Sequence, residues 1–591
     1  MAKKLLEVKN LRISFNTNTG TVKAVRGINF SLTRGRTLAI VGESGSGKSV
    51  TSKAILGILA NNSIIEDGEI IYDGKNLLSL NEEQFSEIRG VKISMIFQDP
   101  LSALNPIMHV GKQLTEAMYL EHKAQKKLAR RTLRKIESLI RKNDAELAKK
   151  LVEKRKNAEE QLTEEAFEEL KAEIKSATEK SNVVYLENLA KAQEIAINIK
   201  KECLGDYESY DRAELLRQLA ILKPALKKCV NIFHLSSDNV IDVYIGVMKK
   251  NAKGIIDTIK YSEHLAKVFE KAGVDDVFDL PASIRCKERE VVKPVEEYFS
   301  LMQESTDELA DHLGHLKEKY SAVTDELVDS LVKVYIKKFK DSVSKLTHQD
   351  TKKRAIKLMK EVGIPEPERR FNQYPFEFSG GMRQRIVIAI ALSGNPEILI
   401  CDEPTTALDV TIQAQILELI NRLKEEKNLS IIFITHDLGV VANMADDIAV
   451  MYAGKIVEYG TVYDIFYDPR HPYTWALLGS MPDLETKGRL DAIPGTPPNM
   501  LLPPKGDAFA ARNTYAVALD YEQEAPFFQI SETHSAKAWL LHDDAPDVVA
   551  PRTVVERIEK SLKENPENRP VYTLKKNSIL EYASKKKGGK K

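Results

Sequence analysis

The hydrophobic positions of the chain follow two patterns, one with the period of a strand and one with the period of a helix. Near the N-terminus apolar and polar residues alternate, as at 11–15 and 28–32, which predicts antiparallel strands. Short runs made almost entirely of apolar residues are typical of strands that are buried on both faces of a sheet. These runs lie at 38–41, 93–97, 398–401 and 431–434. Because predicted helices separate them, the pattern indicates an α/β fold.

The middle of the chain carries the helical pattern. Residues 112–204 and 315–362 contain neither Gly nor Pro, and their apolar residues recur at helical spacing between charges. This predicts long helices with solvated faces. Between them Gly, Pro and aromatic residues return, and we expect a small helical bundle with a modest core over 205–314. Heptads are not sustained over enough turns to predict a coiled coil.

Composition narrows the classes of function. The 591 residues exceed the roughly 250–300 that one core supports, so several domains are expected. The formal net charge of +1 gives no argument for nucleic-acid binding. No apolar run approaches the roughly 18 residues of a membrane span, which favours a soluble, cytoplasmic chain. Such a chain can still sit on a membrane by docking to other subunits. Four widely spaced cysteines suit a reducing compartment.

The strongest chemical signal lies directly after the first buried run. Residues 42–49 stand between the predicted strand at 38–41 and a predicted helix at 50–59, which is the context that a phosphate-binding loop needs. Lys48 is expected to reach the β- and γ-phosphates, and the Ser49 hydroxyl to ligate Mg²⁺. The predicted nucleotide-binding residues of this loop are Gly42, Glu43, Ser44, Gly45, Ser46, Gly47, Lys48 and Ser49.

Polar residues follow the other buried runs. Asp402 and Glu403 suit a metal ion and an attacking water: Asp402 would hold Mg²⁺ through a water, and Glu403 would orient or deprotonate the nucleophile. His436 is expected to contact the γ-phosphate. Gln98 also follows a buried strand, where ligands bind in open α/β sheets, but by itself it is only weak evidence for a ligand site. A surface acid pair and a structural histidine are the alternatives.

Two further features allow two interpretations each. Ser379, Gly380 and Gly381 precede a buried helix, which suits a second anion-binding site, with an ordinary helix cap as the alternative. Phe15 can stack on an adenine ring or pack as a strand aromatic in a small sheet.

Taken together, these motifs resemble the ATP-binding subunits of ABC transporters, over roughly residues 5–119 and 350–546. The resemblance implies a P-loop ATPase core, with a RecA-like mixed sheet and an antiparallel β subdomain, and an enlarged all-α subdomain. It makes 42–49 the Walker A motif and 379–384 the signature. The other family positions are the Q-loop glutamine Gln98, also a Mg²⁺ ligand; the signature contacts Ser379, Gly380, Gly381 and Gln384; the Walker B metal ligand Asp402 and catalytic base Glu403; the D-loop Asp409; and the switch His436.

Several departures indicate a branch of this family. Phe378 and Met382 replace the commoner Leu and Gln of the signature, and the Met form is similar to the oligopeptide/dipeptide (and nickel) importers. Residues 98–106, 471–474 and 493–498 resemble the extended Q-loop and C-terminal extension of that branch. Its members often hold an iron–sulfur cluster through four cysteines. The corresponding positions here are Asp507, Asn513, Asp520 and Ala538, within a pattern that keeps Arg512, His534 and Trp539. With no thiolate there, no cluster is expected.

The resemblance also implies domains and partners. The expected segments are the core (1–120 and 350–470), a helical insertion (121–349), the C-terminal extension (471–548) and a basic, partly disordered tail (549–591). The expected partners are a second ABC ATPase subunit, usually a paralogue, two membrane permeases and an extracellular solute-binding protein, and no nucleic acid. This implies an ATP hydrolase at the cytoplasmic face of the cell membrane that powers import of oligopeptides or dipeptides.

Alternative functions remain open at this point. ATPases of the coiled-coil DNA-repair or chromosome-maintenance type also carry a long helical insertion, although the Gly/Pro-broken middle and the C-terminal extension oppose that interpretation. Import of nickel or another small solute, and a regulatory module that uses ATP without transport, are the others. The insertion is either an enlarged solvated subdomain or a docking site for a partner subunit or a regulatory protein.

Overall fold

The computed structural model describes residues 4–99, 103–141, 164–202, 212–229, 295–321, 325–406, 408–481 and 493–564, with some single residues outside these ranges. The chain divides into two compact units, which we call the core unit (Met1–Gln125 with Lys345–Lys591) and the helical unit (Lys126–Ser344). Within the described ranges, no helix has both the length and the apolar character needed to cross a lipid bilayer.

Strands and helices are numbered in chain order. The strands are β1 Lys4–Thr17, β2 Gly20–Thr33, β3 Thr37–Val41, β4 Ser63–Tyr72, β5 Lys75–Asn76, β6 Ile93–Ile96, β7 Ile398–Asp402, β8 Ser430–Thr435, β9 Asp447–Tyr452, β10 Lys455–Thr461, β11 Phe528–Gln529 and β12 Ser535–Ala536. The helices are α1 Lys48–Ile55, α2 Glu82–Phe85, α3 Val110–Arg141, α4 Glu164–Glu202, α5 Arg212–Lys228, α6 Val295–Lys319, α7 Asp325–Val343, α8 His348–Glu361, α9 Pro367–Arg370, α10 Gly380–Leu392, α11 Val410–Lys427, α12 Leu438–Met444, α13 Val462–Tyr467, α14 Pro472–Gly479, α15 Ala518–Glu522 and α16 Arg552–Glu564.

The core unit contains two sheets. The smaller is antiparallel, in the order β2-β1-β4-β5, and the larger has the order β11-β12-β10-β9-β3-β8-β7-β6. The strands from β9 to β6 are parallel, whereas β10, β12 and β11 continue the sheet as antiparallel strands. The mixed sheet and the antiparallel subdomain expected from the resemblance are therefore confirmed.

Alternate residues of the central strand β3 face different hydrophobic clusters. Leu38 and Ile40 join the cluster that includes the antiparallel sheet. Ala39 and Val41 face the cluster that includes α13, α14 and α16, which belong to what we call the C-terminal region, residues 462–564. Every residue of β3 is buried, which explains why the sequence shows an uninterrupted apolar run there. Because parallel strands end at the same edge of a sheet, the segments that follow β3, β6, β7 and β8 meet there.

The helical unit has a hydrophobic cluster of its own, formed by α4, α5 and α6. Helix α4 contributes Leu189, Ala192, Ala196 and Ile199, which lie on one face at helical spacing. The first and last residues of this unit lie side by side, because the Lys126 ammonium donates a 2.9 Å hydrogen bond to the Ser344 carbonyl. The polypeptide chain thus enters and leaves the helical unit at neighbouring positions.

The long helices expected over 112–204 and 315–362 are present as α3, α4, α7 and α8. The bundle expected over 205–314 lies largely outside the described residues. The first helix of the core begins at Lys48, two residues earlier than predicted, so the last residues of the loop belong to its first turn. Strand β6 ends at Ile96 and leaves Phe97 exposed.

The C-terminal segment contains a helix that the sequence interpretation overlooked. Val554, Val555 and Ile558 of α16 are buried in the cluster of the C-terminal region. Their spacing gives the helix one apolar face, which the high content of charged residues obscured. The lysine-rich end at 585–591 lies outside the described residues.

Candidate active site

Residues 42–49 form a loop between β3 and α1. Gly45 and Gly47 have φ values of 81° and 97°, in the left-handed region that favours glycine. A β-carbon on Gly47 would also lie 2.5 Å from the carbonyl oxygen of Ala24. Since α1 begins at Lys48, the N–H groups of its first turn have no carbonyl partner within the helix. They can serve an anion, and the loop therefore fits a phosphate group.

The Lys48 side chain lies buried beneath this loop. Its ammonium donates hydrogen bonds to the carbonyl oxygens of Gly42, at 2.7 Å, and Glu43, at 2.9 Å. Ser46 is buried beside it, whereas Ser44 is exposed. Burial lowers the pKa of Lys48, and nearby carboxylates oppose that shift. The ammonium is thus held at the base of the loop.

The end of β7 reaches the loop through one hydrogen bond. The Ser49 hydroxyl donates to Oδ1 of Asp402 at 2.9 Å. Asp402 is the last residue of β7 and is buried. Burial raises the pKa of Asp402, and the hydrogen bond from Ser49 partly offsets that effect. A hydroxyl beside a carboxylate provides the oxygen ligands that Mg²⁺ prefers, so this pair fits a magnesium ion.

Glu403 joins the predicted catalytic side chains. Its Oε2 accepts hydrogen bonds from Gln98 Nε2, at 3.0 Å, and from the Thr406 hydroxyl, at 3.1 Å. Its Oε1 lies 3.3 Å from Nδ1 of His436. The structure therefore brings together Gln98, Glu403 and His436, although they follow three different strands. Sequence reasoning missed Thr406, since a hydroxyl three residues after an acid is too common to single out.

The backbone of Glu403 is itself constrained. Its φ of 48° lies in the left-handed region, which costs a non-glycine residue on the order of 1 kcal/mol. Its N–H donates a 2.9 Å hydrogen bond to the Ile434 carbonyl of the neighbouring strand β8. This fixes the carboxylate at the edge of the sheet, where Gln98 and His436 also lie.

The signature segment caps the buried helix α10. The Ser379 hydroxyl accepts a hydrogen bond from the Met382 N–H, so the residue is a helix cap. A β-carbon on Gly381 would lie 2.6 Å from Cγ2 of Ile412, which explains why glycine is required there. Ser379 is exposed at this helix N-terminus. Both interpretations of the motif, cap and anion site, are compatible with this geometry.

Gln384, predicted as a nucleotide contact, lies buried in the structure. Its side chain has no exposed surface, and its amide donates a 2.6 Å hydrogen bond to the Pro404 carbonyl. This contact is a packing role within the chain, and the predicted contact of Gln384 with a nucleotide stays a prediction. Gln384 ties the signature helix to the segment that follows Glu403. Asp409 caps the next helix, α11, by accepting a hydrogen bond from the Ile412 N–H at 2.9 Å.

Phe15 lies in β1, opposite Val22 of β2 and Ser63 of β4. Its ring is partly buried against the cluster of the antiparallel sheet. This is the packing role that the sequence left as an alternative. Its role as a platform for adenine stays a prediction.

The C-terminal region contacts the phosphate loop directly, which the sequence did not indicate. Arg512 donates to both carboxylate oxygens of Glu43, at 2.6 and 3.0 Å. The hydroxyl of Tyr473 accepts a hydrogen bond from the Glu43 N–H at 2.8 Å. Arg512 stood out only as part of a retained family pattern, and nothing in the sequence pairs it with a residue of the loop.

The four positions that would carry cluster ligands hold no thiolate, and most of their side chains bond to nearby backbone. Asp507 accepts from the Phe509 N–H, Asn513 from the Tyr515 N–H and Asp520 from the Val517 N–H. The remaining position, Ala538, has no ligand atom. This donor set does not fit an iron–sulfur cluster, whose irons require sulfur or imidazole ligands.

Two protein-family models match the chain. The model described as ABC transporter matches residues 25–206 and 282–406. The model described as oligopeptide/dipeptide transporter, C-terminal region, matches residues 457–518. The first match contains the loop, Asp402 and Glu403, and the second contains Tyr473 and Arg512.

Curated relatives match along nearly the whole chain. The oligopeptide transport ATP-binding protein OppD of Bacillus subtilis (strain 168) is 37% identical over 560 residues, which covers 94% of this chain and 94% of the relative. The dipeptide transport ATP-binding protein DppD of Lactococcus lactis subsp. cremoris (strain MG1363) is 35% identical over 555 residues, covering 94% and 96%. A solved dimeric ATP-binding cassette bound to ADP and phosphate is 14% identical, with a TM-score of 0.35, and the match covers 77% of this chain and 98% of that structure.

Proposed function

Because the chain belongs to the ABC transporter ATP-binding family and carries the C-terminal region of its oligopeptide/dipeptide transporters, we propose that it hydrolyses ATP to power peptide import through a membrane complex. One observation carries the catalytic part of the proposal: Glu403 contacts both Gln98 and His436 at the sheet edge where Asp402 meets Ser49. The peptide cargo rests on the names of the relatives. Nickel or another small solute is the alternative cargo.

The phosphate loop binds the ATP phosphates in this proposal. The N–H groups of the loop and of the first turn of α1 donate to phosphate oxygens, and Lys48 supplies the positive charge. Ser49, Asp402 and Gln98 would hold Mg²⁺, with Asp402 acting through a water. The ion, when bound, neutralises developing charge on the phosphate oxygens.

Glu403 is the catalytic base of the proposal. Its carboxylate orients the attacking water and accepts its proton, and Gln98 and Thr406 hold that carboxylate through hydrogen bonds to Oε2. His436, whose side chain is largely exposed, contacts the γ-phosphate. Most of the catalysis then comes from positioning and electrostatics, as is usual for phosphoryl transfer.

The signature serves a second subunit. We infer that two ATPase subunits associate head to tail, so that Ser379, Gly380 and Gly381 of this chain cover a nucleotide on the partner's loop. Asp409 lies in the segment between Glu403 and α11 and is proposed to communicate between the two sites. The exposed helix N-terminus at Ser379 supports this assignment.

The remaining partners follow from the same proposal. The chain would dock on two membrane permeases at the cytoplasmic face of the membrane, with an extracellular binding protein delivering the peptide. The helical unit is proposed to be the insertion in the α-helical subdomain. No iron–sulfur cluster is proposed, because the donor set does not fit one.

The test is Glu403→Gln in the assembled transporter. We expect ATP hydrolysis to fall about 10²- to 10⁴-fold while ATP binding is retained, since the amide cannot accept the proton. Glu425→Gln, on the exposed surface of α11, is the matched control and should hydrolyse ATP normally. Unchanged hydrolysis in Glu403→Gln would refute the base assignment. A steep salt dependence of DNA affinity would instead favour a DNA-directed ATPase.

A further inference from the structure

Every polar group of Glu43 is bonded, and two of its partners come from the C-terminal region. The carboxylate receives two hydrogen bonds from Arg512, and the N–H donates to the Tyr473 hydroxyl. The carbonyl accepts from the Lys48 ammonium. Glu43 is therefore the point at which the C-terminal region holds the phosphate loop.

Arg512 is itself held rigidly. Its Nε donates to the Pro494 carbonyl at 2.7 Å, and Nη1 donates to the Tyr452 hydroxyl at 3.0 Å. The guanidinium lies over the rings of Tyr452 and Phe509, at 5.8 and 5.9 Å from their centroids. The side chain is only 5% exposed. A planar cation that is fixed on all sides presents a fixed fork to the Glu43 carboxylate.

We propose that Arg512 is a positioning residue for the ATP site, which through Glu43 fixes the phosphate loop in the form that receives the phosphates. The inference rests on the proposed function of the loop. Arg512 touches no reacting atom in this role. Its effect passes through one residue of the loop, whose carbonyl also orients Lys48.

The physical reason is the cost of ordering a glycine-rich loop. Gly45 and Gly47 give the loop the backbone freedom it needs, and that freedom must be lost when phosphate binds. An anchor on Glu43 removes part of that freedom beforehand, so the anchor increases ATP affinity. Loss of Arg512 should therefore weaken ATP binding more than it changes the chemical step.

The experiment compares ATP affinity among variants of the full-length chain, by titration with ATP and Mg²⁺. We expect Arg512→Ala to weaken ATP binding about tenfold, as is typical of the loss of one coupling between adjacent groups. The ATP affinity of Arg512→Lys should lie between that of Arg512→Ala and that of the wild type. An ammonium keeps the positive charge but cannot donate the two parallel hydrogen bonds of a guanidinium. Glu43→Gln should weaken binding as well, and the double variant should be no worse than Arg512→Ala alone.

The matched control is Arg557→Ala. This arginine also lies in the C-terminal region and also bonds the backbone, at Leu478 and Met481, but does not bond the loop in the structure. Its ATP affinity should stay within about twofold of the wild type. If Arg512→Ala does not fold, Arg512→Lys and Glu43→Gln carry the same test.

Three results would overturn the inference: an unchanged ATP affinity in the Arg512 variants, equal weakening in Arg557→Ala, or multiplying effects of Arg512→Ala and Glu43→Gln. Each of these requires a wild-type chain that binds ATP. A wild-type chain that does not bind ATP would overturn the proposed function instead, so the two failures are distinguishable.

Discussion

The Ser49 hydroxyl and the Asp402 carboxylate lie 2.9 Å apart, although 353 positions separate them in the chain. One follows β3 and the other ends β7, and β8 lies between these strands in the sheet. The contact therefore depends on three parallel strands in correct register. It also brings together the two oxygen ligands on which the proposed magnesium site depends.

Ser49→Ala should impair the use of Mg²⁺. We expect ATP hydrolysis by the assembled transporter to fall about 10- to 100-fold and to require more Mg²⁺ for half-maximal rate, because one ligand is lost. A titration of the rate with Mg²⁺ measures this. Ser79→Ala, at an exposed serine bonded to a backbone carbonyl, is the control. An unchanged Mg²⁺ dependence would remove Ser49 from the metal site.

Ile400→Ala should destabilise the core unit. Ile400 lies in β7 with no exposed surface, so truncation leaves a cavity and costs about 2–5 kcal/mol. The midpoint of urea unfolding, followed for the core unit by a probe attached there, measures the change. Val410→Ala, at a residue that is 82% exposed, should shift the midpoint little. Equal shifts in the two variants would contradict the assigned packing.

Glu458 should make stability depend on pH. Its buried carboxylate accepts hydrogen bonds from the N–H groups of Arg470 and His471 and lies 2.8 Å from Nε2 of His534. Burial alone would raise the pKa of Glu458, but the hydrogen bond and charge of His534, together with further hydrogen bonds that include the Arg470 N–H, keep the pKa below its ordinary value of 4.5. The ionised form therefore stabilises the fold above pH 4.5, and this contribution is lost as the pH falls below that value.

Glu458→Gln tests whether the ionised carboxylate stabilises the fold. We expect a loss of about 3 kcal/mol at pH 7, because an amide cannot replace both carboxylate oxygens. The difference in melting temperature between wild type and variant should narrow as the pH falls below 4.5. Glu418→Gln, on the exposed face of α11, is the control, and its melting temperature should follow that of the wild type at every pH. A difference that widens in acid would mean that the pKa is shifted the other way.

Removal of the helical unit should leave ATP binding intact. Its two ends lie side by side at Lys126 and Ser344, so a short linker can join Gln125 to Lys345. We expect the shortened chain to bind ATP within about threefold of the wild type, as titration would show. Lost ATP binding would indicate that the ATP site needs this unit. Unchanged transport, regulation and complex assembly would favour a solvated subdomain, and a defect in any of them would favour a docking site.

Much of the fold and site could be predicted from local pattern. The apolar runs predicted the central strands. The glycine-rich loop pointed to Lys48, and the acidic residues at the end of a buried strand pointed to Asp402 and Glu403. These signals are local, because each residue's neighbours in sequence already show its environment.

What could not be predicted depends on pairs that are distant in sequence. The order of the strands, the pairing of Arg512 with Glu43 and the burial of Gln384 each arise from contacts between separate elements. A family position assigned to Gln384 did not reveal that its amide bonds Pro404. Side-chain burial is set by packing, which periodicity alone does not specify.

The position of β3 in the sheet also sets an order for folding during synthesis. Both neighbours of β3, the strands β8 and β9, lie about 400 residues further along the chain. At about 5–20 residues per second, the ribosome needs about 20–80 s to supply them. All residues of the helical unit emerge within that interval. Strand β3 must therefore stay unpaired until a later and self-contained unit has been made, whereas the antiparallel sheet of β1, β2, β4 and β5 already has all its strands.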